Sequence, residues 1–138
     1  MKRMACILAL TLALGIGVGM IGNHILIAQQ QPVTRTILQQ KDLEGAADRE
    51  VIMYVAELAP AGVAGRHYHP GPELLYILEG ALILEHDGQS PVTLKAGESA
   101  HVPAKHIHNA KNASATGPSK VLVFLVGEKG QPLATPVQ

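Results

Sequence analysis

From Arg35 onward the chain is a succession of short apolar runs, each cut off by glycine or proline, and this punctuation constrains the fold more than any other feature. Val51–Leu58 ends at Pro60 and Gly62, and Glu73–Glu79 ends at Gly80. Ala81–Glu85 runs into Asp87-Gly88, a strong hairpin signal because both turn positions tolerate left-handed backbone. Val92-Thr93-Leu94 stops at Lys95-Ala96-Gly97, and Val121–Val126 stops at Gly127. Strands at intervals of roughly 8–12 residues predict an all-β sandwich or small barrel. After residue 34 there is no sustained helical period. Asp42–Glu50 is the one stretch where a short helical turn fits.

The first 28 residues do not belong to that pattern. Lys2 and Arg3 precede an uncharged apolar run from Ala5 to Ile21, and Ile25-Leu26-Ile27-Ala28 follows Asn23 and His24. A basic start before such a run is a secretory signature. Ala5 to Ala28 is also long enough to span about 30 Å of hydrocarbon as a helix. The segment reads as a cleaved signal peptide or a retained membrane anchor. Either places residues 29–138 across the membrane, in the periplasm or another extracytoplasmic space. The membrane is then met only through this segment. The single cysteine, Cys6, lies inside it. Without Lys2 and Arg3 the neutral chain carries a net charge of −2. No basic excess or aromatic platform is present to grip nucleic acid.

Chemistry concentrates in the histidines. Of seven, His67, His69, His101, His106 and His108 fall close together, while His24 lies in the targeting segment and His86 beside the Asp87-Gly88 turn. His67 and His69 stand two apart, so in a strand both imidazoles face one side. Glu73 follows the Pro70-Gly71-Pro72 turn, and a chain reversal returns its carboxylate to the same point. A further imidazole comes from His101, His106 or His108. Such a set suits a divalent first-row metal: Fe, Mn, Co, Ni, Cu or Zn. Four protein ligands leave one or two coordination positions open.

These residues carry a family resemblance. Residues 62–80 contain His67-Tyr68-His69, Glu73 and Gly80, at the spacing of the first motif of the cupin superfamily. Residues 97–112 contain Gly97, Pro103, His108 and Asn112, which resemble the second motif. Lys105 stands where that motif has glycine, and Gly62 is one residue nearer His67 than the motif's opening glycine. The resemblance, to small single-domain bacterial cupins, covers about residues 50–127. It implies an antiparallel, jelly-roll-like barrel of six to eight strands. It also implies that His67, His69, Glu73 and His108 hold one metal ion.

The organisation expected is a targeting helix at 1–28, a linker and N-terminal strand at 29–49, the barrel at 50–127 and an extended tail at 128–138. Leu75, Ile77 and Ala110 share parity with the ligands and are expected to line the interior. Arg66 is expected to be solvated or to meet an anionic substrate beside the pocket. Glu79 and Glu85 are read as solvated charges. Glu73 is also the candidate general base, and the Tyr76 hydroxyl a candidate proton donor. Within the resemblance the expected function is binding or oxidising a small organic molecule at the metal site, and any catalysis is expected to be oxygenase-like. A non-catalytic metal- or ligand-binding module is the alternative. A sugar isomerase is a third reading, weakened by the scarcity of aromatics. The family's usual assembly is a homodimer formed by strands near the termini, here 29–45 and 127–138.

Overall fold

The structure is a computed structural model that describes residues 32–138, so the targeting segment expected at 1–28 lies outside the described residues. Ten strands follow in order: β1 Val33–Asp42, β2 Arg49–Leu58, β3 His67–Tyr68, β4 Glu73–Glu79, β5 Ala81–His86, β6 Val92–Lys95, β7 Ser99–Val102, β8 His108–Asn112, β9 Ser119–Glu128 and β10 Thr135–Pro136. They form two antiparallel five-stranded sheets, β1-β2-β9-β4-β7 and β10-β3-β8-β5-β6. Two of the ten, β3 and β10, are only two residues long, which is how the count exceeds the expected six to eight. Among the described residues there is no helix. The turn expected at Asp42–Glu50 is a tight reversal instead, closed by Leu43 and Arg49 through a backbone hydrogen bond of 3.1 Å. No helix of the described residues is long and apolar enough to cross a membrane.

From β2 to β10 consecutive strands alternate between the two sheets, except at the β5–β6 hairpin, so most neighbours in sequence face each other across one core. Alternation decides which side chains enter it. In β4, Glu73, Leu75 and Ile77 are buried while Leu74 and Tyr76 are exposed. Tyr54 and Leu58 of β2, Leu82 and Leu84 of β5, and Val123 and Leu125 of β9 complete the same cluster. The hairpin expected at Asp87-Gly88 joins β5 to β6, with Gly88 at φ 77°.

Three local features hold the site-bearing loops. Gly71, in the turn between His69 and Glu73, lies against β9 so closely that a Cβ would sit 1.6 Å from the Val126 carbonyl oxygen. Only glycine lets that turn pass. Asn112, the last residue of the second motif, donates to the carbonyls of Leu58, Ala59 and Gly117 and accepts from the Ser114 amide. It staples the end of β2 to the loop before β9, and a buried amide with its partners met is worth keeping. Lys105 keeps the left-handed backbone of the glycine it replaces, at φ 59°. That conformation costs a non-glycine residue roughly 1 kcal/mol. It is offset by the 3.0 Å hydrogen bond from the Lys105 amide to the His69 carbonyl.

Candidate metal centre

Three histidines reach one point from one sheet. His67 in β3 pairs directly with His108 in β8, and directly opposed residues of an antiparallel pair project to the same face. His69, two residues on, shares the parity of His67. All three are buried. Their rings lie 4.4 to 5.2 Å apart between centroids, and their ligand nitrogens fall within 4.8 Å of one another. They are positioned to hold a metal ion. Glu73, the first residue of β4, enters from the opposite sheet and adjoins the group through His69, with Oε2 2.7 Å from Nε2.

The backbone sets the tautomer of every ring. His67 Nδ1 faces the Gly65 carbonyl at 2.7 Å, His69 Nδ1 the Leu133 carbonyl at 2.5 Å, and His108 Nδ1 the His106 carbonyl at 3.0 Å. A carbonyl oxygen only accepts, so each Nδ1 carries a proton, which in the neutral ring leaves the lone pair on Nε2. This is how metal-binding imidazoles are usually oriented. It also makes the His69–Glu73 approach informative. A bare Nε2 and a carboxylate oxygen at 2.7 Å are both acceptors, and Glu73 Oε2 has no hydrogen-bond partner although it is buried. Two facing acceptors and an unpaired buried carboxylate oxygen fit a cation between them.

The space beside the rings is small and largely aliphatic. The cavity measures about 40 Å³, so it suits a ligand of few heavy atoms. Leu75, Leu82, Ala110 and Val123 are among its walls. Besides the three histidines and Glu73, its polar lining is Arg35 and Tyr54. Burial pushes the Tyr54 phenol far up, with the Glu73 charge adding and the Arg35 guanidinium opposing. Tyr54 is thus a neutral O–H.

Other residues singled out from sequence stand elsewhere. Tyr76 is exposed on the outer face of β4, because the parity that turns Glu73, Leu75 and Ile77 inward turns it outward. It does not reach the cavity and cannot donate a proton there. His101, on β7, lies with Tyr76 along an outer groove. His106 supplies the carbonyl that holds His108, while its ring packs on His86 at 5.0 Å. Leu75 and Ala110 line the cavity as expected, and Ile77 is fully buried in the core. Arg66 pairs with Asp87 and reaches the Gln138 carbonyl, outside the cavity. Glu79 pairs with Lys120, and Glu85 with Lys111 and Asn109. Sequence reasoning missed Arg35, Tyr54 and the Leu133 carbonyl. The alternation of Tyr54 with Ala56 is the signal that points to Tyr54, whereas β1 carries none for Arg35.

Electrostatics favours the neutral imidazole that a metal takes. Burial lowers His67, and it lowers His108 to about 4 from an ordinary value near 6.5, with His67 and His69 adding and the hydrogen bond to the His106 carbonyl opposing. Between those values the unfolded chain binds more protons than the folded one, so stability rises with pH. The His108 contribution is complete above about pH 7 and fades as pH falls through 6.5 towards 4. Urea unfolding of the metal-free chain is expected to show a loss of about 2 kcal/mol between pH 7 and pH 5 from this group. The His108→Gln variant should lack that increment, and an equal pH dependence in both proteins would contradict it.

The comparisons with known proteins agree with this geometry. A family profile described as a cupin domain matches residues 54–125, more than half of the chain. No curated protein matches the chain in sequence. Among solved structures, the DMSP lyase DddQ from Ruegeria pomeroyi superposes with a TM-score of 0.62 at 22% identity, over 77% of this chain and 52% of that one. The chain therefore spans about half the length of that lyase. The polyketide cyclase RemF from Streptomyces resistomycificus gives 0.60 at 23% identity, over 78% of this chain and 72% of that one. A cupin-like protein from Thermotoga maritima gives 0.59 at 20% identity, over 76% and 75%. Such identities speak for the fold alone, and the two-sheet barrel, the motif spacing and the profile match converge on it: the chain belongs to the cupin family, as a small single-domain member.

Proposed function

We propose that this chain is an exported, metal-dependent enzyme that binds a small organic molecule and oxidises it in the manner of a dioxygenase. His67, His69, His108 and Glu73 would hold one divalent transition ion. The observation that carries the reading is the grouping of three buried, backbone-oriented imidazoles, with an unpaired, buried carboxylate oxygen beside one of them. When bound, such an ion supplies Lewis acidity towards an enolate, phenolate or thiolate and, if redox-active, a route for oxidation by dioxygen.

The chain's own residues define the rest. The backbone carbonyls orient the imidazoles. Glu73 serves as a fourth ligand or, where the three histidines hold the ion alone, as the group that takes a proton from a substrate seated beside it. The aliphatic walls exclude water, and the small interior restricts the substrate to few heavy atoms. Two of the structurally similar proteins are by name a DMSP lyase and a polyketide cyclase, so the fold is one that also carries enzymes. Export rests on residues 1–28 and their basic, then apolar, composition.

The test is metal analysis followed by a substrate screen under oxygen. The purified chain is expected to carry about one transition ion, and oxygen uptake with a small phenol, enol or thiol should require it. Glu73→Gln, which keeps the shape and removes the carboxylate both as ligand and as base, should lower turnover by roughly 100-fold or more, with metal content read alongside to separate the two roles. Tight metal binding without oxygen uptake would overturn the oxidative reading in favour of a non-catalytic binder, and failure to bind any ion would overturn the site.

A further inference from the structure

The cavity contains one cation whose charge is not answered. Among the described residues the arginines are Arg35, Arg49 and Arg66. Arg49 has Asp48 and Glu128 within 3.8 Å, and Arg66 has Asp87. Arg35 alone has no carboxylate partner, yet it lines a cavity that holds Glu73. Its place is fixed by register. Val33 and Arg35 of β1 pair with Leu58 and Ala56 of β2, and all four face the cavity. Arg35 remains exposed to solvent, so it stands at the mouth rather than in the core.

We propose that Arg35 receives a carboxylate carried by the substrate, with the Tyr54 hydroxyl on the neighbouring strand as a second, neutral donor, so that the substrate's other end faces the histidines. This rests on the metal reading of the site. A planar guanidinium presents paired N–H groups that match a carboxylate in geometry. A divalent ion with Glu73 and Arg35 leaves the cavity positive by two charges, and an anionic ligand offsets that excess. The interior admits few heavy atoms, which favours a compact carboxylate over a larger anion. The remaining walls named above are aliphatic, so the orientation of a small ligand falls to Arg35 and Tyr54 at one end and to the ion at the other.

The experiment uses the full chain loaded with zinc, which is redox-silent, and three probes read by calorimetric titration: acetohydroxamate, a short hydroxamate with a terminal carboxylate, and the same hydroxamate with a terminal carboxamide. The hydroxamate head reads the metal and the tail reads Arg35. The carboxylate probe is expected to bind roughly 10- to 100-fold more tightly than the carboxamide. Arg35→Gln should erase that preference while zinc content and acetohydroxamate affinity stay unchanged, and Arg35→Lys should keep part of it. Zinc uptake and acetohydroxamate binding without a carboxylate preference, or a preference that survives Arg35→Gln, would overturn the role of Arg35 and leave the metal reading intact. A chain that takes up no zinc would overturn the metal reading and this assignment with it.

Discussion

His108→Ala is expected to lower metal affinity by roughly 100-fold or more. His108 is central in the triad: its ring is 4.4 Å from His67 and 5.2 Å from His69, and its backbone pairs with His67 on one side and His86 on the other. Alanine removes one Nε2 lone pair and leaves the other two rings facing a gap. His106 is turned onto His86, and His101 is on the outer face. His101→Ala is therefore the matched control and should leave metal content unchanged. Competition with a chromophoric chelator measures both variants, with thermal unfolding to establish that each is folded. A His108→Ala protein with wild-type metal content would remove His108 from the site.

How far the sequence carried this reading depends on what each element shows of itself. The strands with strong apolar runs, β2, β4, β5, β6 and β9, were legible because burial of one or both faces leaves a mark in composition. The ligand set was legible because His67, His69 and Glu73 sit within one arch of chain, closed by a turn that only Gly71 fits. β1 was not. Its sequence, Val-Thr-Arg-Thr-Ile-Leu-Gln-Gln-Lys-Asp, is exposed along almost its whole length, and its register slips at a bulge between Ile37 and Gln39. It is held by main-chain pairing to β2, which has no side-chain signature. That is why Arg35 went unnoticed while Arg66, nearer the motif, drew attention. Tyr76 was a different failure. Leu74, Tyr76 and Leu78 make the outer face of β4 apolar as well, which blurs the phase of the strand. Yet the parity that assigns Leu75 and Ile77 to the interior already excludes Tyr76, and the rule needed only to be applied throughout.

The tail, read from sequence as extended, reaches the site and yields the second large effect. β10 pairs Thr135 with Tyr68 and Pro136 with His67, the Val137 amide donates to the Arg66 carbonyl, and the Leu133 carbonyl accepts from His69 Nδ1. One ligand thus takes its orientation from a residue 64 positions later in the chain. Ending the chain after Gly130 removes that acceptor and frees the His69 ring to turn. Partners of this kind typically contribute 10- to 100-fold to metal affinity, so a loss of about that size is expected, with the two sheets still formed. Leu133 also packs against the core, and the loss must be separated from simple packing. Leu133→Ala does so, because it trims the side chain and keeps the carbonyl. The truncated chain should lose metal affinity while Leu133→Ala retains it within a few fold, as read by the same chelator competition. If the two variants lost affinity equally, the side chain and not the carbonyl would be what holds His69. If neither lost it, the imidazole would be held by His67, His108 and the ion alone.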